Sequence, residues 1–392
     1  MSELTVPSLS LPPLSLYVHF PWCVRKCPYC DFNSHTLQGA LPEAAYVDAL
    51  LRDLRAQAAD VQAREVASVF FGGGTPSLFS PGAIARLLGA LKAELEFAQA
   101  AEITLEANPG TIERGRFGDY RAAGINRVSL GAQSFDDGSL RRLGRIHAAA
   151  DTQRAVAELK AAGIDNFNLD LMYGLPEQNV SAALADIDAA LRLEPAHISH
   201  YELTLEPGTV FGGLPPDGLP DSDTALQMQL DCQQRLADAG YRQYEVSAYA
   251  RDGRQCRHNL NYWRFGDYLG IGAGAHGKCS RIHGEALSIE RSWREREPRR
   301  YLASLPSMPA RRAVPSADLP FEFLMNTLRL LEGFDELEFE QRTGLHIEVL
   351  QAPLARLRAR DLIERCAGRW RASALGFSFL NDVVSEFLVP QR

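Results

Sequence analysis

Strand-like and helix-like stretches alternate from Leu14 to about Ala250, and this alternation constrains the fold more than any other feature of the sequence. Repeated βα units predict an α/β fold with a parallel sheet, closed or partly closed into a barrel. The six predicted strands are Leu14–His19, Glu65–Phe71, Glu102–Ala107, Arg127–Leu130, Phe167–Leu171 and His197–Leu203. The helices predicted after them are Pro42–Asp60, Pro81–Phe97, Ile112–Ala123, Thr152–Ala162, Val180–Leu191 and Asp223–Ala239.

Three cysteines follow the first predicted strand directly: Cys23, Cys27 and Cys30, with the spacing C-x3-C-x2-C. Three thiolates this close can hold three irons of a cubane [4Fe–4S] cluster and leave the fourth iron without a protein ligand. Clusters that only transfer electrons usually have four protein ligands, so the spacing indicates chemistry or substrate binding at an open iron. A zinc site would need His19 or His35 as its fourth ligand, and a disulfide is not expected in a chain that does not look secreted.

Polar residues and glycines recur at the carboxyl ends of the predicted strands, where barrels of this kind place their active sites. The second strand ends at the turn Gly72–Pro76, whose backbone groups suit the close approach of a ligand. The third ends at Glu106, a carboxylate suited to accept hydrogen bonds from ribose hydroxyls. The later strands end at Gln133, at Asp170, and at Tyr201 with Glu202. Taken alone, the glycine turn also fits an ordinary tight turn, and Glu106 a surface salt bridge.

The composition predicts an intracellular globular protein of the cytoplasm. The 392 residues can bury a large core, and the net charge of −8 argues against a nucleic-acid partner held by bulk charge. The first 13 residues lack the features of a signal peptide, and no apolar stretch approaches the roughly 20 residues of a membrane span. Peripheral membrane contact and a homodimer are left open.

The cysteine spacing is the signature of the radical S-adenosylmethionine (SAM) enzymes, and this segment resembles that superfamily closely. Over nearly the whole chain, the sequence resembles the oxygen-independent coproporphyrinogen III oxidase family within it. The segments that carry this resemblance are Leu16–Cys23, Cys27–Asn33, Phe71–Ser77, Glu106–Pro109, Gly131–Phe135 and Asp170–Pro176. The resemblance implies a partial (β/α) barrel of radical SAM type, whose open iron takes the amino and carboxylate groups of SAM.

The same resemblance implies SAM-binding residues by motif position. Tyr17, Gly73 and Glu106 would contact the cluster-bound SAM, with the glycine turn bonding the amino group of its methionine part. In the family a second SAM occupies the site, and whether this chain uses it is left open. The residues that would line this second position are Gly74, Thr75, Gln133, Arg145 and Asp170.

Two departures separate the chain from the oxidases. The oxidases carry a further cysteine where this chain has Phe32, and a longer N-terminal extension than Met1–Pro13 covers their active site. Both departures resemble the HemW branch, whose members are heme chaperones without oxidase activity. This implies heme binding and transfer of heme to acceptor apoproteins. The rival interpretation is decarboxylation of coproporphyrinogen III propionates, favoured by the retained Gln133, Arg145 and Asp170. A radical SAM enzyme with another substrate is a third.

The segment His258-Asn-Leu-Asn-Tyr262-Trp263 reads H-N-x-x-Y-W and resembles the heme-binding motif of the HemW branch. A neutral imidazole is a common axial ligand of heme iron, and Tyr262 and Trp263 supply flat apolar surface for a porphyrin. We therefore predict heme binding at His258. From these six residues alone, the alternative is a histidine satisfied in the core beside packing aromatics.

Two further segments lie between the predicted barrel and the C-terminal part. Gly272–Gly277 fits G-x-G-x-x-G, but no helix is expected after it, so the sequence favours a backbone turn over a dinucleotide site. The stretch 288–315 is rich in Arg, Pro and Ser and is predicted to be a surface connection with a solvated charge run.

The C-terminal part is predicted to be a small helical domain that resembles a winged-helix module, without a basic recognition stripe for DNA. Its predicted elements are helices at Phe321–Leu331, Glu348–Arg358 and Phe377–Phe387, with a hairpin at 362–372. The chain is thus divided into a radical SAM partial barrel (1–250), a heme-motif segment and connection (251–319), and a C-terminal helical domain (320–392).

Overall fold

The structure, a computed structural model, describes residues 9–61, 63–111, 116–284, 286–304 and 308–388. Its strands are β1 (Leu14–Phe20), β2 (Trp22–Cys23), β3 (His35–Thr36), β4 (Val66–Gly73), β5 (Phe97–Ala107), β6 (Arg127–Gln133), β7 (Phe167–Tyr173), β8 (His197–Glu202), β9 (Arg242–Glu245), β10 (Ala248–Ala250), β11 (Asp267–Ile271), β12 (His276–His283), β13 (Ala286–Trp293), β14 (Ala310–Ala313), β15 (Ile363–Cys366) and β16 (Arg369–Ala372).

The helices alternate with the strands in the first half of the chain and dominate its end. They are α1 (Glu43–Gln57), α2 (Pro81–Glu94), α3 (Arg116–Ala123), α4 (Asp137–Arg142), α5 (Ala149–Ala161), α6 (Val180–Arg192), α7 (Val210–Gly213), α8 (Ser222–Asp238), α9 (Arg257–Trp263), α10 (Pro298–Ser304), α11 (Leu319–Thr327), α12 (Glu336–Thr343), α13 (Glu348–Ala359), α14 (Ala374–Ser378) and α15 (Leu380–Ser385). The first four residues of the helix predicted at Ile112–Ala123 lie outside the described residues.

Twelve strands form one mixed sheet, in the order β14-β13-β12-β11-β1-β4-β5-β6-β7-β8-β10-β9. The six predicted strands are β1 and β4 to β8, and each pairs with the next in parallel. On the other side of β1, β11 pairs in parallel and β12 to β14 continue the sheet antiparallel. The predicted α/β class with a parallel sheet is therefore confirmed, and the sheet is larger than the sequence indicates.

The alternation of residues along β1 shows how the sheet separates its core from its site. Leu14, Leu16, Val18 and Phe20 are fully buried in the main hydrophobic core. The residues between them face the other side of the strand, as the two-residue period of a strand requires. On that face the Tyr17 hydroxyl lies 2.9 Å from His19 Nδ1, so the inner surface is polar.

Short polar side chains cap the helices that follow the parallel strands. Ser80 accepts a hydrogen bond from Ala83 N at 3.1 Å at the start of α2, and Asn179 accepts one from Ala182 N at 2.9 Å at the start of α6. Such caps satisfy amides that have no partner within the helix. They fix the turns that leave the carboxyl ends of the strands.

The stretch 288–315 is not the surface connection that the sequence predicts. It carries most of β13, all of α10 and all of β14, so it supplies two strands of the main sheet and the helix between them. Its charges are also not simply solvated, because Arg311 pairs with Asp60 beyond α1 and with Glu290 on β13. The prediction is wrong because these pairs join residues far apart in sequence. How the chain divides into independently folding units stays a prediction.

The C-terminal part has an apolar core formed by α11, α12, α13, α15 and the hairpin β15–β16, which Phe265, Ile289 and Val314 join from outside it. The hairpin lies where the sequence predicts it, whereas the helix predicted at Phe377–Phe387 is two short helices. Helix α12 is not among the predicted elements, although Asp335 and Glu338 form a capping box at its start. No helix in the described part of the chain has the length and apolar character needed to cross a bilayer.

Candidate functional site

The three cysteines of the motif lie in the loop after β1, with free and partly exposed thiols. They line a cavity of about 310 Å³ at the carboxyl ends of the parallel strands. Each sulfur has a polar neighbour: Thr75 Oγ1 donates to Cys23 Sγ at 3.4 Å, Arg145 Nη1 donates to Cys27 Sγ at 3.7 Å, and Ser34 Oγ lies 3.6 Å from Cys30 Sγ. The loop thus presents three thiols to one cavity.

The donors beside the sulfurs bear on the choice between a zinc ion and a multi-iron cluster. A structural zinc ion takes four protein ligands in tetrahedral geometry, so the three thiols would need a fourth donor. His19, considered as a fourth zinc ligand, is engaged at both ring nitrogens, by the Tyr17 hydroxyl at 2.9 Å and the Asn33 carbonyl at 2.9 Å. The donor set therefore fits a cluster with one iron left open.

The glycine turn after β4 packs against the cysteine loop too closely for any side chain. Gly73 has a φ of +114°, and a Cβ there would lie 2.5 Å from His19 Cε1. At Gly74 a Cβ would lie 2.6 Å from the Trp22 carbonyl oxygen. The Gly73 amide donates to Glu106 Oε2 at 3.0 Å, so the turn also holds the carboxyl group at the end of β5. Both positions require glycine for steric reasons.

Two partly buried carboxyl groups, Glu106 and Asp170, line this cavity. Burial, followed by repulsion from Asp170, raises the pKa of Glu106 from 4.5 to about 8, against the opposing hydrogen bond from the Gly73 amide. Burial also raises the pKa of Asp170, although Asn168 and Ser129 donate hydrogen bonds to it at 2.7 and 3.2 Å. A cationic ligand beside these groups would lower both pKa values and be stabilised in return.

We expect Glu106→Gln to alter how the stability of the cluster-free protein depends on pH. Between about pH 4.5 and 8 the native Glu106 keeps a proton that the unfolded chain has released, so the free energy of unfolding of the wild type falls as pH rises. The variant lacks this contribution, so its stability relative to wild type should increase across that window. Denaturant unfolding at several pH values measures it, with the exposed Glu295→Gln as control. Parallel curves for wild type and Glu106→Gln would contradict the prediction.

The residues predicted for a second SAM position also meet in this cavity. Gln133 ends β6 with a φ of +67°, in the left-handed region that non-glycine residues rarely adopt. Its Oε1 accepts a hydrogen bond from the Tyr201 hydroxyl at 2.8 Å, and Arg145 Nη2 donates to the Gly131 carbonyl at 2.7 Å. Backbone strain of this kind clusters at functional sites. The predicted residues that line the cavity are Gly74, Thr75, Gln133, Arg145 and Asp170.

Tyr17 and His258 lie deeper, around an inner cavity of about 270 Å³ that also reaches Glu106 and Asp170. His258 is only 2% exposed. Its Nδ1 lies 3.1 Å from Ser68 Oγ, while its Nε2 has no hydrogen-bond partner among the described residues. Burial is the main cause that lowers the pKa of His258 to about 3, so the imidazole is neutral.

The aromatic residues of the same motif point in different directions. His258 stacks on Phe70 and meets the edge of Tyr262, with ring centroids 5.0 Å apart in each pair. Tyr262 lines the inner cavity. Trp263 instead packs under Arg329, a residue of the C-terminal part. The Cζ atom of this guanidinium lies 4.4 Å from the centroid of the Trp263 ring. The structure thus brings Tyr262 to the site and directs Trp263 away from it.

Some residues that line the two cavities are absent from the sequence predictions. Tyr29, between the second and third cysteines, lines the outer cavity. Arg127, the first residue of β6, lines the inner one and is 2% exposed. An arginine in a strand predicted to lie in a parallel sheet is a usable signal, because such strands are buried and charges are seldom buried without a reason. The inward direction of Ser129 and Ser199 follows only from the register of their strands.

Comparison with known proteins agrees with this fold. Residues 17–190 match the radical SAM superfamily, and residues 314–379 match the HemN C-terminal domain. The fold is similar to that of coproporphyrinogen III oxidase (HemN) from Escherichia coli, with a TM-score of 0.79 over 96% of this chain and 90% of that chain, at 23% identity. The chain therefore contains a radical SAM domain, and this superfamily implies a [4Fe–4S] cluster and SAM.

Relatives of the chain in sequence show which family of radical SAM proteins it belongs to. The chain is 49% identical over 380 residues to heme chaperone HemW of Escherichia coli (strain K12), covering 97% of this chain and 99% of that protein. It is also 49% identical over 385 residues to heme chaperone HemW of Haemophilus influenzae, again covering 97% and 99%. The mitochondrial radical S-adenosyl methionine domain-containing protein 1 of Mus musculus is 42% identical over 70% of this chain and 64% of that protein. The chain belongs to the HemW family.

Proposed function

We propose that this protein is a heme chaperone, which binds heme and transfers it to acceptor apoproteins. The observation that carries the proposal is the 49% identity, over 97% of the chain, to proteins named heme chaperones. Phe32 supports it, since this residue is 61% exposed at the rim of the cysteine cavity, where the oxidases have a cysteine. The cytoplasmic location and the absence of a nucleic-acid partner stay predictions. Peripheral membrane contact and dimerisation are still open.

We further propose that the cysteine loop holds a [4Fe–4S] cluster and that SAM binds beside it. Cys23, Cys27 and Cys30 would hold three irons, and the fourth iron would supply an open position for the amino and carboxylate groups of SAM. Gly73 and Glu106 line the same cavity as the cysteines, and Tyr17 lines the inner cavity together with Glu106. The partly buried carboxyl groups of Glu106 and Asp170 suit a ligand that carries a positively charged sulfonium.

The residues proposed for a second SAM position are Gly74, Thr75, Gln133, Arg145 and Asp170. Their support is that all five line one cavity with the cysteines. Arg145 supplies a partly buried guanidinium, which suits a carboxylate. The same residues favour the rival function, an oxidase acting on coproporphyrinogen III. Phe32 counts against this rival, because it places a benzyl group where the oxidases have a thiol.

We propose that heme binds beside the His258–Trp263 motif, with His258 as one of its heme-binding residues. In this structure the His258 ring is enclosed by Phe70 and Tyr262, so ligation of iron through Nε2 would require these rings to move apart. Tyr262 stands between His258 and a further cavity that is described below. The motif therefore contributes at least a wall of the proposed heme site.

The two aromatic residues of the motif allow a matched test of this proposal. We expect Tyr262→Ala to weaken heme binding about tenfold or more, because the porphyrin loses an apolar contact. Trp263→Ala is the control and should leave heme affinity unchanged, since its ring packs on Arg329. Heme titrations followed in the Soret region measure the heme affinity of the wild type and of both variants, with cluster content measured on the same samples. Equal affinities for wild type and Tyr262→Ala would contradict the proposed site.

A further inference from the structure

A cavity of about 450 Å³ with an aromatic wall adjoins the cysteine loop. Tyr17, Tyr262 and Tyr268 form this wall, and the rings of Tyr262 and Tyr268 lie 4.2 Å apart, centroid to centroid. Phe32 borders both this cavity and the cysteine cavity, with 61% of its surface exposed. An exposed benzyl group beside a row of tyrosines is suited to cover one face of a flat apolar ligand.

Two histidines line this cavity, and only one of them offers a ring nitrogen. His19 is buried, and both of its nitrogens are engaged by Tyr17 and by the Asn33 carbonyl. His276, the first residue of β12, is exposed, and its imidazole has no hydrogen-bond partner in the described part of the chain. Burial of part of the ring, followed by Arg296 and Arg291, lowers the pKa of His276. A neutral imidazole is the form that ligates heme iron.

An arginine side chain lines the same cavity as His276. Arg296 lines the same cavity and is exposed, and no salt bridge engages its guanidinium within the described ranges. Arg291, by contrast, is held by Glu322 at 3.1 Å and by the Tyr268 hydroxyl at 2.9 Å. Arg296 is therefore the arginine at this cavity that can pair with a ligand carboxylate, the group in which each heme propionate ends.

We propose that His276 is an axial ligand of heme iron, with the porphyrin against the tyrosine wall and Phe32, and with a propionate on Arg296. The inference rests on the proposed heme-binding function and specifies where and by which residues heme is held. It differs from ligation by His258, whose ring lies behind Tyr262 and faces a cavity lined by Arg127, Asn168 and Asp170. An aromatic cavity open to an exposed histidine accommodates a porphyrin better than that polar one.

The test is a heme titration of the anaerobically reconstituted protein, read as difference spectra against the same sample before heme is added. His276→Ala should weaken heme binding about tenfold or more and shift the Soret band. His283→Ala, an exposed histidine at the other end of β12, is the matched control and should bind as wild type does. Added imidazole should restore the Soret position of His276→Ala, because it can replace the missing ligand.

The outcomes separate this inference from the function on which it rests. If wild type binds no heme, the proposed function fails. If wild type binds heme and His276→Ala binds it with unchanged affinity and spectrum, the inference is overturned and the function stands. A loss that imidazole does not restore would make His276 structural and overturn the inference too.

Arg296→Ala should weaken binding of heme but not of heme dimethyl ester, which lacks the carboxylates. Equal losses for both ligands would overturn the propionate contact.

Discussion

Replacing any one of Cys23, Cys27 or Cys30 with alanine is expected to abolish the stable four-iron cluster. The loop supplies three thiols to one cavity, so each variant would leave only two protein ligands for the cluster. Iron and sulfide content, together with the brown absorption of the reconstituted protein, measure the effect. Because these side chains are partly exposed, the variants should retain their fold, which far-ultraviolet circular dichroism checks.

Two other cysteines provide controls for this experiment. Cys232 is buried on α8 and Cys366 is exposed on β15, and neither lines the cavity. Their alanine variants should keep the wild-type iron content. A full complement of four irons in all three variants of the motif would contradict the assignment of the cluster to this loop.

Asp267→Asn is expected to lower the free energy of unfolding by about 3 to 5 kcal/mol. Asp267 is fully buried at the start of β11, where Lys278 Nζ lies 2.9 Å and Arg64 Nη1 2.7 Å from its oxygens. Lys278 is itself buried, so the uncharged variant leaves an ammonium group in the interior without its carboxylate. This ion-paired cluster fixes β11 and β12, which carry Tyr268 and His276.

A surface pair is the matched control for this prediction. Asp48→Asn removes the carboxylate that pairs with Arg86, where both side chains are about half exposed, and should cost at most about 1 kcal/mol. Denaturant unfolding measures the free energy of unfolding of the wild type and of both variants. The cations hold the pKa of Asp267 below its usual value, so the wild-type advantage should disappear as pH falls through that lowered pKa. Equal losses for the two variants would contradict the account.

Much of the fold and of the outer cavity could be predicted because the information is local. The alternation of Leu16 and Val18 with polar residues marks β1, and the rule that sites gather at the carboxyl ends of parallel strands places Glu106 and Asp170 together. These predictions need only the periodicity of each strand and the order of the strands. The inward direction of Ser199 follows from the register in which β8 pairs with β7, and the sequence pattern does not give this register.

The remaining parts depend on contacts between distant segments. Arg311 looks like part of a solvated charge run until β14 is seen beside β13, with Asp60 next to it. Likewise, the motif at α9 gives no sign that Tyr262 faces the site while Trp263 faces Arg329, because the packing of this short helix is set by the sheet and by the C-terminal part. Adjacent aromatic residues on a helix point about 100° apart, so they seldom share one ligand.

The most direct test of the account gives the anaerobically reconstituted protein both heme and coproporphyrinogen III, with SAM and a reductant present. The account predicts that heme binds, with a Soret band that titrates to saturation, and that coproporphyrinogen III is recovered unchanged when the porphyrins are separated by chromatography. Formation of protoporphyrinogen IX over multiple turnovers, without saturable heme binding, would contradict it and would identify the protein as an oxidase.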